Sequence, residues 1–359
     1  MRGVIVLLAA VLAIVAAPMA SAAPSPVATP LKPGELGNGA AVQRWINGYR
    51  LRHDLVHVPE AINALSNMGA FKDPGTSGVY IGFLAGIIAS NPARANELIG
   101  KALNAVTVED QWVVVQAIAY SGLPDWKGTL RRFSGRMPAR QVMIEKYLTG
   151  KLKTLDEMEF DRNENLWQHF TGYFDNMGKN APWAPPNRNY DTHDATTAVL
   201  DTLWGYYFAT GNVKPILRII SVLPWSKDRN SVDKITIGNT AKLTLASNAV
   251  RDHVLLVILQ SEARNQPKEV ADVLNEVVDA AETAQTERIR KDALADLDEI
   301  RRKGTLTKRQ VVWWGQAGEL AVAGVCVVEA ALGNVTFGLP CVIGGGLSAA
   351  ALQYYSNQQ

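Results

Sequence analysis

Residues 198–225 constrain the fold most, because apolar side chains recur with helical spacing on both sides of a marked stop. The first half carries apolar residues at intervals of three and four, typical of a helix packed against a core: Leu200, Leu203, Trp204, Tyr207 and Phe208. Gly211 predicts the end of this helix, and Asn212 predicts the cap of a second helix with Pro215 in its first turn. Such a pair needs neighbouring helices to cover its apolar faces.

Further helical patterns supply those neighbours. The first opens the folded region with Trp45, Tyr49 and Leu51, and another pair starts at Tyr80, with Asn91 expected to cap its second helix. One long helix is predicted by a later set of apolar residues: Leu243, Val250, Val254, Val257 and Ile258. The pairs recur near residues 80, 112, 200 and 243 without a fixed period. The sequence therefore predicts an all-α fold, an irregular, helical-repeat-like array of antiparallel helix pairs.

The N-terminus predicts export. Arg2 precedes an apolar run, and Ala20-Ser21-Ala22 has the small-residue pattern of a cleavage site, so residues 1–22 are predicted to be a signal peptide. Residues 23–40 are rich in Pro, Gly and Ala and predict a flexible linker. The α-helical domain is expected over residues 41–305, with an internal loop near residues 176–192. A periplasmic or secreted location follows, with membrane association left open.

The charge balance gives no indication of a nucleic-acid partner. The chain has 36 basic and 34 acidic residues and a formal net charge of +2. A nucleic-acid-binding domain more commonly carries a strong basic excess. The 47% hydrophobic content is sufficient for a sizeable core in a globular fold.

Residues 306–359 are predicted to form a hydrophobic, Gly- and Ala-rich helical hairpin. Between residues 311 and 355 only Glu319 and Glu329 carry charge. Cys326 lies seven residues before Gly333, and Cys341 lies seven residues after Asn334. Both cysteines would come level in a hairpin that turns at this point, and an oxidising compartment favours a disulfide between them.

The hairpin has two alternative roles. The aromatic residues level with each other at its base are typical of a membrane interface and are candidates for membrane or partner docking: Trp313, Trp314, Tyr354 and Tyr355. However, Pro340 would leave the second arm only ~16 residues, or ~24 Å of helix, against a hydrocarbon core of ~30 Å. Packing of the hairpin on the helical domain or on a partner is the alternative to membrane insertion.

Candidate catalytic and metal-binding residues are few. His53 and His57 lie four apart, which would place both imidazoles on one helix face as candidate metal ligands, but surface or core-edge histidines are the interpretation that the sequence favours. Asp191, His193 and Asp194 are candidates for an acid–base cluster, although Asp before an apolar run is also typical of a helix cap. The sequence contains no P-loop, G-x-S-x-G, H-E-x-x-H or dinucleotide-binding motif, and no cofactor is predicted.

Three segments resemble those of uncharacterised exported α-helical, helical-repeat-like proteins of Gram-negative bacteria. They are LWGYYFATGN at 203–212, NTAKLTLASNAVRDHVLL at 239–256, and the FLAG and NPAR sequences within 83–94. The resemblance implies a bacterial exported helical protein and carries no activity with it.

The sequence favours a binding protein over an enzyme. The leading hypothesis is an exported, non-enzymatic helical protein that binds a protein or envelope partner. One alternative is a membrane-associated protein that inserts its C-terminal hairpin in the bilayer. A second alternative is a hydrolase of unknown substrate that uses the cluster around His193.

Overall fold

The computed structural model describes residues 36–72, 77–158, 160, 197–229 and 232–286, with residues 288, 289, 291, 292 and 295. This part of the chain contains twelve α-helices and no strand, which confirms the all-α prediction there. The helices are α1 Gly39–Arg52, α2 Val58–Asn67, α3 Gly78–Ser90, α4 Ala95–Ala105, α5 Gln111–Tyr120, α6 Trp126–Ser134, α7 Gln141–Leu148, α8 Thr197–Thr210, α9 Val213–Ser221, α10 Val232–Ala249, α11 His253–Asn265 and α12 Lys268–Glu282. Single 3-10 turns occupy Leu55–His57, Pro92–Arg94, Pro138–Arg140 and Leu223–Lys227.

Helices α3 and α8 form the centre of this helical assembly. Every residue of α3 from Gly78 to Ile88 is buried. The apolar stripe of α8 is buried almost completely, and so are Asp201 and Thr202 on its other faces. A helix buried on all sides is a core helix. The sequence predicted an amphipathic α8 with one core-facing stripe, and the structure corrects that by burying nearly the whole helix.

Three glycines allow α3 and α8 to approach each other closely. A Cβ atom on Gly82 would lie 1.9 Å from the carbonyl oxygen of Thr202, and a Cβ atom on Gly205 would lie 1.9 Å from that of Val79. Gly82 faces Thr202 and Gly86 faces Ala209, so the two helices run in the same direction. The backbones are therefore in direct contact, which only glycine permits at these positions. The most extensive packing thus joins helices distant in sequence rather than a consecutive pair.

The predicted stop between α8 and α9 is confirmed. Gly211 adopts a left-handed conformation with φ of 66°, and its N–H donates to the carbonyl of Tyr207 at 2.7 Å. Asn212 Oδ1 accepts a hydrogen bond from the N–H of Lys214 at 2.9 Å and so caps α9. The analogous prediction for Asn91 is wrong. Its side chain donates back to the carbonyl of Ile87, because a 3-10 turn separates it from α4.

Helices α10, α11 and α12 pack together as a smaller group within the described residues. Helix α10 packs along the turn Leu223–Lys227, and α12 packs against both α10 and α11. Lys242 is buried on α10 and bonds the carboxylate of Glu276 on α12, which Lys227 also contacts at 3.3 Å. Two cations on one carboxylate hold α12 against α10 and the turn.

Buried tyrosines predict a loss of stability at alkaline pH. Burial raises the pKa of Tyr80 and of Tyr120 to about 12 each. In the unfolded chain a tyrosine ionises near pH ~10, so unfolding releases protons above that pH. The contribution of each buried tyrosine to the free energy of unfolding should therefore be constant below pH ~10. It should fall by on the order of 1 kcal/mol for each pH unit between pH ~10 and the raised pKa of the folded protein. Urea unfolding across this range measures the slope.

The matched variants Tyr80→Phe and Tyr120→Phe should each reduce that slope. A slope that is unchanged in both variants would contradict the assignment of the pH dependence to these buried hydroxyls.

Candidate interaction site

Most of the predicted site residues lie outside the described residues. These are the acid–base candidates Asp191, His193 and Asp194, the cysteines Cys326 and Cys341, and the aromatic residues Trp313, Trp314, Tyr354 and Tyr355. Nothing about their arrangement follows from the structure. His53 and His57 are described, and they lie on the connection between α1 and α2.

The structure separates His53 from His57 instead of placing them on one helix face. Helix α1 ends at Arg52, and His53 takes a left-handed conformation with φ of 49° at its C-cap. His57 lies in the following 3-10 turn, where its Nδ1 donates to Asp54 Oδ2 at 2.7 Å. The same oxygen accepts from Trp45 Nε1 at 3.3 Å. Among the described residues no three His, Cys, Asp or Glu side chains form a group that could hold a metal ion.

Asp54 thus fixes the conformation of the α1–α2 turn, which we define as residues 53–57. Its carboxylate ties His57 to the indole of Trp45, which is itself buried in the core. Two aliphatic side chains project into solvent here. Leu51, in the last turn of α1, is 84% exposed, and Val56, in the α1–α2 turn, is 81% exposed. Exposed aliphatic side chains on a fixed backbone lose little conformational entropy on binding, which favours association with a partner.

A polar clamp formed by Arg50, Tyr207 and Asp252 anchors the end of α1. Arg50 donates through Nη2 to Asp252 Oδ2 at 2.7 Å and through Nη1 to Tyr207 Oη at 2.5 Å. Tyr207 Oη in turn donates to Asp252 Oδ2 at 2.8 Å. The guanidinium also lies over the tyrosine ring, 4.9 Å from its centroid. One side chain from each of α1 and α8, with the N-cap of α11, therefore meets at one point.

The electrostatics of the clamp keep Arg50 charged and Tyr207 protonated. Burial works to lower the pKa of Arg50, but the interactions with Asp252 and Tyr207 together more than offset it and raise that pKa. Burial, followed by the charge of Asp252, raises the pKa of Tyr207 far above its ordinary value. The phenol therefore stays protonated and remains a hydrogen-bond donor to the carboxylate.

Asp252 has a second role that divides the predicted long helix. Its Oδ1 accepts a hydrogen bond from the N–H of Leu255 at 3.1 Å and caps α11. The chain from Leu243 to Ile258 is therefore two helices, α10 and α11, and the prediction of one helix is wrong. Asp before an apolar run is an N-cap signal, and it explains the break.

Helix α11 presents an exposed aliphatic face. Leu255 and Leu259 point into the core, whereas Val254 and Val257 are 59% and 49% exposed. Val250, on the turn before the helix, is exposed as well. The clamp joins this helix to the end of α1. We therefore define the interaction surface as the exposed aliphatic residues at the end of α1, in the turn after it, and on or just before α11: Leu51, Val56, Val250, Val254 and Val257.

Comparison of the chain with protein-family models, with curated proteins and with solved structures finds no match. Within the described residues no helix is both long and apolar enough to cross a membrane.

An apolar cavity lies beneath α1. It has a volume of about 20 Å³ and is lined by aliphatic and aromatic side chains that include Trp45, Phe83 and Leu84. That volume is close to one water molecule, and the lining offers no polar partner to hold a ligand or water. The cavity is a packing gap in the core.

Proposed function

We propose that this is an exported, non-enzymatic helical protein that binds a protein or envelope partner through the interaction surface. The proposal is based on exposed aliphatic side chains that lie on a backbone held in place by the clamp. Leu51 and Val254 project into solvent, yet each lies within two residues of the clamp that ties its helix to the core. Binding surfaces use exposed apolar anchors whose geometry is set before the partner arrives.

The polar groups beside this surface support binding rather than catalysis. The two carboxylate oxygens of Asp252 accept from Arg50, Tyr207 and the N–H of Leu255. The Oδ2 atom of Asp54 is engaged by His57 and Trp45. These carboxylates are used to hold helices and turns in place, which suits a surface that must keep its shape.

The same proposal includes the finer organisation expected from the sequence. The helix pairs stack as an irregular array, and residues 306–359 add an apolar hairpin that a disulfide between Cys326 and Cys341 staples. The N-terminal signal directs the protein to the periplasm or the exterior. This hairpin would contribute to docking, with Trp313 and Tyr354 near its base.

Capture experiments with matched variants test the proposal. We expect the tagged full-length protein to recover a specific partner from envelope extracts, and the double variant Leu51→Gln/Val254→Gln to recover at least tenfold less. Loss of two central anchors typically costs more than ~1 kcal/mol each. The matched control is Val108→Gln/Val142→Gln, whose side chains are 55% and 52% exposed elsewhere on the molecule. The control should recover the partner normally.

Equal recovery by both double variants would exclude the interaction surface as the binding site. Retention in the membrane pellet after an alkaline carbonate wash would instead favour the alternative function, in which the C-terminal hairpin inserts in the bilayer.

A further inference from the structure

Helix α6 and the turns that follow it carry an excess of positive charge. Between Trp126 and Ile144 the sequence contains only basic charges, at Lys127, Arg131, Arg132, Arg136 and Arg140. The chain as a whole is nearly balanced, with 36 basic and 34 acidic residues. A run of this kind concentrates positive potential on one part of the surface.

Four of these basic side chains point outward. Leu130 and Phe133 bury the inner face of α6 in the core. The exposed residues, which we call the basic face, are Lys127, Arg131, Arg132 and Arg136. Arg140 does not belong to it, because its buried guanidinium donates to the carbonyls of Val108 and Glu109.

Neutral partners orient two of the four charges. Arg132 Nη1 donates to Asn96 Oδ1 at 2.7 Å, and Arg136 Nη2 donates to Asn104 Oδ1 at 2.7 Å. Both asparagines lie on α4. An amide oxygen fixes the direction of a guanidinium without cancelling its charge. The basic face is therefore held in position across two helices while it keeps its positive potential.

Among the described residues near the basic face, acidic side chains are fewer than basic ones. Glu97 on α4 bonds both Arg94 and Lys101, at 2.9 Å and 2.7 Å, so one carboxylate is shared by two further cations. Asp125 caps the first turn of α6 through the N–H of Gly128. The charge of Lys127 also reaches Glu157 and contributes, after the hydrogen bonds from Thr154, to lowering the pKa of that carboxyl.

We propose that the basic face binds anionic lipid headgroups at a membrane surface. The charges lie on an exposed surface rather than in a pocket. Lys127, Arg131 and Arg132 lie on α6, and Arg136 follows the end of that helix, so the four cations are spread over a surface larger than one small anion. The inference rests on the export in the proposed function, because an exported protein meets lipid surfaces. Contact through headgroups needs no inserted segment.

Vesicle co-sedimentation of the full-length protein tests this inference. We expect binding to vesicles of phosphatidylcholine with one-third phosphatidylglycerol, and much weaker binding to phosphatidylcholine alone. The triple variant Arg131→Gln/Arg132→Gln/Arg136→Gln should bind anionic vesicles on the order of 100-fold more weakly, since each basic residue near such a surface contributes a factor of roughly five. Added salt should weaken wild-type binding in the same assay.

The matched control removes the same charge elsewhere. Lys214→Gln/Arg264→Gln/Lys268→Gln changes three exposed cations that lie outside the basic face. This variant should bind anionic vesicles within about twofold of wild type, because the effect depends on local clustering. Equal loss in both triple variants would overturn the proposal, as would equal binding to neutral vesicles, displacement by millimolar inorganic phosphate, or tighter binding to an oligonucleotide than to the vesicles.

This test is independent of partner capture. The vesicles contain no protein, so the basic-face variant should still recover the partner, and Leu51→Gln/Val254→Gln should still bind the vesicles. Failure of one experiment therefore leaves the other proposal standing.

Discussion

Gly205→Ala is expected to destabilise the protein by about 3 kcal/mol or more, or to prevent folding. The added Cβ atom would lie 1.9 Å from the carbonyl oxygen of Val79 and 2.7 Å from the backbone nitrogen of Phe83. Both are backbone atoms of α3, so relief requires that two core helices move apart. Overpacking a core costs typically ~1–3 kcal/mol, and rigid backbone places this case at the upper end. Denaturant unfolding measures the change.

Gly100→Ala is the matched control for this substitution. Gly100 also lies within a helix, but a Cβ atom there would only approach the flexible end of Arg136, at 3.4 Å. Helix propensity should then dominate and stabilise the protein by up to ~1 kcal/mol. If α3 and α8 are in close contact, Gly→Ala should lower the free energy of unfolding at position 205 and raise it at position 100. A stabilising effect at both positions would contradict it.

Arg50→Met should lower the free energy of unfolding by about 2–3 kcal/mol. The substitution leaves the Asp252 carboxylate and the Tyr207 hydroxyl without their cation at a site where the side chains of both ion-pair partners are only 20% exposed. Removing one partner of a fully buried pair costs ~3–5 kcal/mol, and partial exposure reduces that. Thermal or urea unfolding monitored by circular dichroism measures the loss.

The neighbouring substitution Arg52→Met provides the comparison. Within the described residues Arg52 makes two long hydrogen bonds, each of 3.3 Å, to carbonyls of its own helix. It should therefore cost less than ~0.5 kcal/mol. A second comparison is Tyr207→Phe, which should show coupling with Arg50→Met in a double-mutant cycle because the two side chains share one hydrogen bond. Equal effects of Arg50→Met and Arg52→Met would show that the clamp does not hold α1 in place.

Local signals allowed the helices, and several of their ends, to be predicted from the sequence. Gly211 and Asn212 act where the sequence places them, because left-handed glycine and asparagine capping depend on the nearest turn alone. The pairing of α3 with α8 could not be predicted in this way. It depends on Gly82 and Gly205 meeting across a long stretch of chain, and helical periodicity gives no partner for a buried face.

The interaction surface was not predicted from the sequence. Leu51 was assigned to the apolar pattern of α1, yet it lies six positions after Trp45, about 120° away from it around a helix of 3.6 residues per turn. That angle indicates the exposure which the structure shows. The exposed face of α11 has no comparable signal, because Val254 to Leu259 is apolar throughout and only the packing decides which residues are buried.

The prediction that His53 and His57 share one helix face is wrong for a local reason. That prediction required a continuous helix through both residues. The left-handed conformation at His53 ends α1, so the two histidines do not lie on one helix. Asp54, which directly follows His53, bonds His57 and Trp45. A short polar side chain just after a helix is a signal of such a turn.

Site-specific photo-crosslinking in intact cells tests the central claim most directly. A benzophenone-bearing amino acid would replace Leu51, Val254 or, as a control, Val142 in the full-length protein. The account predicts one and the same adduct from positions 51 and 254, and none from position 142, because only the first two lie on the interaction surface. Identical adducts from all three positions, or none from positions 51 and 254, would contradict a partner-binding role for this surface.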